Sequence, residues 1–364
     1  MDNEGFKINL PQDENENASA EENIPAAEAA PDFNLDNIES NILYGGMNLE
    51  EYNEKQNIKS SCRTVGLCFI LSFFILLLIN VATVIATVIL SSFSLEKILE
   101  DPAVMQVMQI GFSILIFLIP FVIIPKASGY RLSDIVPLGK SAKNSFLPLF
   151  LFGISFCSFA NIATNYAAMF FENIGIDYDV DFGDNPEGIF GFLLTLISTV
   201  AVPALVEEFA LRGVVQGILK KHGEGFAVIC SAIIFGVMHR NFQQMPFAFL
   251  VGLVLGYITV KSGTLWPAVA VHAFNNGVSV IIDYLGKYIS VEQQNIIYTV
   301  FLIATLILGL LAFTVIKNED GLYSFNKANT VTSEGKKIKM FIFSAPIIIY
   351  TVLCLLESCI YFFI

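Results

Sequence analysis

The stretch Leu205-Val-Glu-Glu-Phe-Ala-Leu-Arg-Gly213 lies inside an apolar run that begins near Ile189 and ends at Lys220-Lys221. A run of that length is long enough to cross hydrocarbon, so Glu207, Glu208 and Arg212 sit at the depth of a bilayer. An ionised side chain there costs roughly 3 kcal/mol on the insertion scale, and three within six residues demand a reason. On a helix Glu208 and Arg212 are i,i+4 and share a face, so each neutralises the other. Glu207 points about 100° away and has no local partner. Such a polar group either locks helices together or takes a proton, a cation or a reaction. The first role explains Glu208 and Arg212 better than it explains Glu207.

Outward from this stretch the chain keeps the same character. Of its 364 residues 55% are apolar and 13% aromatic, and the mean hydropathy is +0.66. Apolar runs recur from Thr64 to the C-terminus, at 64–90, 104–124, 146–171, 189–219, 226–240, 244–260, 264–285, 295–316 and 341–363. This predicts an all-α, polytopic membrane helical bundle of about eight or nine transmembrane segments. The 226–240 run is short for a span, and Pro203 is expected to bend the fourth. Residues 64–171 form an N-terminal group of helices, 189–285 the core, and 295–363 a C-terminal group. Ahead of them, residues 1–57 have the composition of a disordered acidic tail. The net charge of −13 comes mostly from here, since residues 1–60 hold 14 acids and 3 lysines. No signal peptide is visible at the start.

Basic residues set the orientation. With the N-terminus inside, 16 of the 20 lysines and arginines fall on inner segments. Only Lys97, Arg240 and Lys287 fall outside, and Arg212 is in the core. This predicts a multi-pass cell-membrane protein with a cytoplasmic N-terminus. The partners this implies are the lipid bilayer and a membrane-embedded or lipid-associated peptide or protein; nothing is basic enough for nucleic acid. Asp177-x-Asp179-x-Asp181 in the outer loop resembles the start of a calcium loop, but Phe182 and Gly188 stand where its Gly and closing Glu belong, so a solvated acidic loop is expected. Gly252-x-x-x-Gly256 reads as a helix-packing signal. The six cysteines lack CxxC spacing and read as packing residues.

Two of the three histidines lie within apolar segments. His239 closes Phe235-Gly-Val-Met-His239, and His272 opens His272-Ala-Phe-Asn-Asn276, where His272 and Asn276 are i,i+4. Counted from cytoplasmic lysines, Glu207, His239, His272 and Asn276 lie 11 to 18 residues in, roughly 16 to 27 Å at the helical rise. Three segments thus bring polar groups to one layer. Amide hydrolysis needs such a set: a carboxylate to take a proton from water, an imidazole to hold that water, and donors for the oxyanion. Neither Gly-x-Ser-x-Gly nor His-Glu-x-x-His is present. A Glu with two His also remains a possible zinc set.

Glu207-Glu208-Phe-Ala-Leu-Arg212, Phe235-Gly-Val-Met-His239 and His272-Ala-Phe-Asn-Asn276 resemble, in order, the motifs of the CPBP (ABI) family of intramembrane glutamic endopeptidases. That family includes CAAX prenyl proteases and bacteriocin-processing enzymes. Gly252-Leu-Val-Leu-Gly256-Tyr and Ser262-Gly-Thr-Leu-Trp-Pro-Ala268 extend the resemblance over about residues 189–285. It implies a helical protease that needs no metal or other cofactor and opens towards the cytoplasm. It further implies Glu207 as general base with His239 on the water, His272 and Asn276 at the oxyanion, and Glu208 and Arg212 as structural support. The competing readings are a scaffold or bacteriocin-immunity protein of the same fold and a proton-coupled transporter. A scaffold has no need of His272 and Asn276. A transporter favours inverted repeats, and no second Glu-Glu segment occurs.

Overall fold

The structure, a computed structural model, describes residues 46–95, 97–141, 146–174, 185–318, 324–326 and 328–360. Ten helices matter here: α1 Leu49–Ser92, α2 Pro102–Ala127, α3 Phe146–Asn173, α4 Gly188–Lys220, α5 Glu224–Val237, α6 Gln244–Ser262, α7 Trp266–Gly286, α8 Val291–Asn318, α9 Glu334–Ile342 and α10 Ala345–Ile360. Among the described residues there is no strand. The chain is an all-α polytopic bundle. Among the described residues seven helices are long and apolar enough to cross a membrane, and α9 with α10 makes an eighth candidate bent by 61°. The run 226–240 corresponds to α5, whose 14 residues rise only about 21 Å, too short for a span. Its side chains are buried almost all round, as an interior helix requires.

Two sequence boundaries move. Residues 49–57, expected within the tail, form the first turns of α1, which is 44 residues long. They are held there by tertiary contacts: Glu54 accepts hydrogen bonds from the Val331 and Thr332 amides at 2.7 and 3.1 Å. The expected last span 341–363 breaks at Phe343–Ser344, where amphipathic α9 gives way to apolar α10. Residues 1–45 and the Asp177–Asp181 stretch lie outside the described residues.

Local chemistry explains the helix ends that frame the site. Asp101 caps α2, accepting from the Ala103 and Val104 amides at 2.9 and 3.1 Å, with Pro102 in the first turn where no amide donor is missed. Gly263 ends α6 in the left-handed region, φ 69°, which turns the chain into α7.

The Gly252-x-x-x-Gly256 pair brings α6 against α5. A Cβ on Gly252 would stand 2.9 Å from the Ala232 Cα, and one on Gly256 3.1 Å from a Val228 methyl. The bare face also exposes backbone carbonyls. Arg212 donates to the Gly252 carbonyl at 3.3 Å, and Gln216, one turn further along α4, donates to the Gly256 carbonyl at 2.9 Å. The packing motif thus doubles as an acceptor ladder for α4.

Candidate active site

The helix that carries the carboxylates is not a regular α-helix. Within α4, Leu196–Ala201 and Phe209–Val215 are wide π-type turns, and Val202–Glu208 between them is α-helical. Pro203 supplies a cause for the first. It has no amide hydrogen to donate to the Thr199 carbonyl four residues back. That carbonyl accepts instead from Asn276 Nδ2 on α7, at 3.1 Å. The expected bend at Pro203 therefore takes the form of a widened turn tied to a neighbouring helix.

Glu208 and Arg212 form the ion pair that their spacing predicts. Arg212 Nη1 donates to Glu208 Oε1 at 2.8 Å, and both side chains are completely buried. The guanidinium also lies 4.3 Å from the centre of the Phe235 ring. Glu208 Oε1 has a second partner, His272 Nδ1, at 2.9 Å. A carboxylate only accepts, so His272 Nδ1 carries a hydrogen. Both donors converge on one oxygen, and Glu208 Oε2 is buried with no hydrogen-bond partner among the described residues.

Glu207 is placed differently. Its side chain is 17% exposed and has no hydrogen-bond partner among the described residues; the nearest charge-capable group is His272 Nε2, 3.9 Å from Oε2. That is beyond hydrogen-bond length. His272 thus stands between the two glutamates, bound to one and facing the other.

His239 sits just past the end of α5, where the chain reverses. Arg240 adopts φ 52°, and the Asn241 side chain holds the turn into α6 by accepting from the Gln243 and Gln244 amides at 2.8 and 3.2 Å. His239 Nδ1 donates to the Phe235 carbonyl at 2.8 Å, which fixes the ring and leaves Nε2 as its free nitrogen. Non-helical backbone at membrane depth is tolerated where it borders a cavity, and this turn does so. The cavity, of about 1440 Å³, is lined by Glu207, Met238, His239 and Asn276 among others.

Of the six residues singled out in the sequence, Glu207, His239 and Asn276 border one cavity, and His272 links Glu207 to the buried Glu208–Arg212 pair. Asn275 adds what the sequence reading did not include. It donates to Asn276 Oδ1 at 3.4 Å and accepts from Asn161 Nδ2 of α3 at 3.3 Å, orienting the amide of its neighbour. The repeated Asn in Asn275-Asn276 was the available signal. Among the described residues no three His, Cys, Asp or Glu side chains are placed to hold a metal ion.

Residues 189–278 match the model of the type II CAAX prenyl endopeptidase Rce1-like family. The chain is 27% identical over 124 residues to the membrane-embedded CAAX protease MroQ of Staphylococcus aureus, a match that covers 31% of this chain and 48% of that protein. It is also 27% identical over 104 residues to the putative membrane peptidase YdiL of Bacillus subtilis, covering 28% of this chain and 42% of the relative. The chain spans about half the length of the curated relatives it matches. No solved structure matches it.

Proposed function

We propose that this multi-pass membrane protein, whose residues 189–278 match the type II CAAX prenyl endopeptidase Rce1-like family model, is an intramembrane endopeptidase that hydrolyses a peptide bond with water activated by Glu207. One observation carries this reading. Of two adjacent carboxylates, the buried Glu208 is held by Arg212 and His272, whereas the partly exposed Glu207 has no hydrogen-bond partner among the described residues and borders the cavity shared by His239 and Asn276. A carboxylate so placed accepts a proton from water. His239, with its Nδ1 hydrogen committed to Phe235, offers the Nε2 lone pair to the same water.

Attack forms a C–O bond to the substrate carbonyl and moves one proton to Glu207. The oxyanion lies within the reach of Asn276, whose Nδ2 has a second hydrogen beyond the one given to Thr199. It also takes a hydrogen bond from His272 Nε2, which requires a doubly protonated ring, since Nδ1 already donates to Glu208. Collapse breaks the C–N bond, and the proton on Glu207 passes to the leaving amine, which restores the carboxylate. No metal enters these steps, and a chelator series tests that point. The reading itself is tested by incubating purified protein with a membrane-peptide library. Cleavage products that vanish in Glu207→Ala support it; products that persist refute it.

A further inference from the structure

We infer that the cavity is entered from the face opposite the basic loops, so that the peptide it takes is one presented on the extracytoplasmic side. The substrate half of this statement rests on the protease reading above; the access half does not.

The direction follows from which residues border the cavity. Glu100 and Pro102 precede or begin α2, Asn185 precedes α4, and Asp283 is near the end of α7. These mark one end of the bundle. The opposite end carries Lys126, Arg131, Lys220, Lys221 and Lys261, and no described residue of the turns joining α2–α3, α4–α5 or α6–α7 borders the cavity. Phe117 is the last α2 residue to line it, nine residues short of Lys126, and Glu207 is the last on α4, thirteen short of Lys220. Beyond Glu207 the path is shut. Leu211, Val214, Val215, Ile218 and Leu219 of α4 are fully buried, as are Ala268 and Val271 of α7. The Glu208–Arg212–His272 layer plugs the floor between them. Lysine and arginine mark the cytoplasmic side of a bilayer. The open end therefore faces away from the cytoplasm, contrary to the direction that the family resemblance implies.

The cavity's form fits an extended chain. From Pro102 to Phe117 it follows α2 for 15 residues, roughly 22 Å, the length of about six extended residues. Its volume exceeds the usual range for a small-molecule pocket. The α2 side presents Met105, Met108 and Phe112 interleaved with Gln106 and Gln109, and α4 and α7 add Thr195, Asn275 and Ser279. A peptide lying there meets apolar groups for its side chains and polar groups for its backbone.

Access is read by cysteine labelling, with no dependence on cleavage. The native cysteines are buried except Cys359, which is half-buried, so Cys359→Ser gives a quiet background. In it, Ser279→Cys and Gln109→Cys report the cavity, Tyr288→Cys the open end and Lys336→Cys the basic end. A charged, membrane-impermeant maleimide applied to intact cells is expected to label Ser279→Cys, Gln109→Cys and Tyr288→Cys, and to label Lys336→Cys only in inside-out vesicles. Adding Glu207→Gln is expected to leave this pattern unchanged, which separates access from catalysis. Labelling of both cavity positions only from the Lys336 side overturns the inference. So does a reversed pattern for the two end positions, or failure of both cavity positions to label from either side while Tyr288→Cys reacts.

Discussion

Replacing each of the adjacent glutamates by glutamine separates a catalytic from a structural carboxylate, because the two residues have such different surroundings. Glu208 is completely buried and its Oε1 accepts from Arg212 at 2.8 Å and from His272 at 2.9 Å. Glu208→Gln keeps an acceptor oxygen but removes the charge, leaving the guanidinium uncompensated in a site with no water-facing side. Breaking a buried pair in this way costs about 3–5 kcal/mol. Each kcal/mol lowers a melting midpoint by roughly 2–4 °C in a domain of a couple of hundred residues, so a drop of many degrees is expected. Among the described residues Glu207 makes no hydrogen bond, and its contact with His272 is 3.9 Å long. Glu207→Gln is therefore expected to move the midpoint by less than about 1 kcal/mol equivalent, in the range of a weak ion pair. Cleavage should nevertheless fall roughly 10²- to 10⁴-fold, the usual share of a general base. Melting midpoints and peptide cleavage of both variants in one detergent decide the matter. Equal destabilisation by the two substitutions, or a Glu207→Gln protein that still cleaves, would refute the division of roles.

Four further outcomes follow from other contacts. Pro203→Ala restores an amide donor for the Thr199 carbonyl and so competes with Asn276; losing that bond is worth about 1 kcal/mol, so cleavage should drop about fivefold with the melting midpoint unchanged or raised. Gly252→Ala drives a Cβ to 2.9 Å from the Ala232 backbone and should cost about 1–3 kcal/mol, whereas Gly256→Ala meets a Val228 methyl that can shift and should cost less in the same melting assay. At the basic end His222, held near pKa 4 by burial and then by Lys221 and Lys337, is neutral in the fold but protonates near 6.5 when unfolded. Its contribution is complete above about pH 6.5 and is lost as pH falls towards 4, so melting midpoints should decline across that window and His222→Gln should flatten the decline. Removing residues 1–45 should leave the melting midpoint intact, whereas cutting to residue 57 removes Glu54 and its two bonds to the Val331–Thr332 backbone and should lower it.

What the sequence conveyed, it conveyed through periodicity. The Glu208–Arg212 pair follows from the helical repeat alone, and the common depth of Glu207, His239 and Asn276 follows from counting residues between lysines. Contacts between distant segments had no such signal. His272 is 64 residues from Glu208, and nothing in either neighbourhood announces that the imidazole closes on the inner carboxylate. The same holds for Asn276 and the Thr199 carbonyl, although Pro203 showed that some carbonyl on α4 would lack its usual donor. The start of α1 was missed for a different reason. Residues 49–57 are polar and acidic, and they are helical because Glu54 is satisfied by a segment nearly three hundred residues away.

The wide turns of α4 change how that helix is to be counted. Thr195, Thr199, Pro203 and Glu207 all border the cavity at intervals of four. In a regular α-helix each such step drifts about 40°, and three steps would carry Glu207 well round from Thr195. The turn Leu196–Ala201 takes more residues per revolution and absorbs part of the drift. It behaves as a helix holding one surplus residue. Deleting a single residue from 196–201 should close the ladder to the ordinary form while Glu207 keeps its heading. The same deletion inside Val202–Glu208, where there is no surplus, would swing the residues between it and the next wide turn, Phe209–Val215, by about 100°. In this helix the cost of losing a residue is set by which turn it leaves, and the first tolerant turn is the one Asn276 fastens.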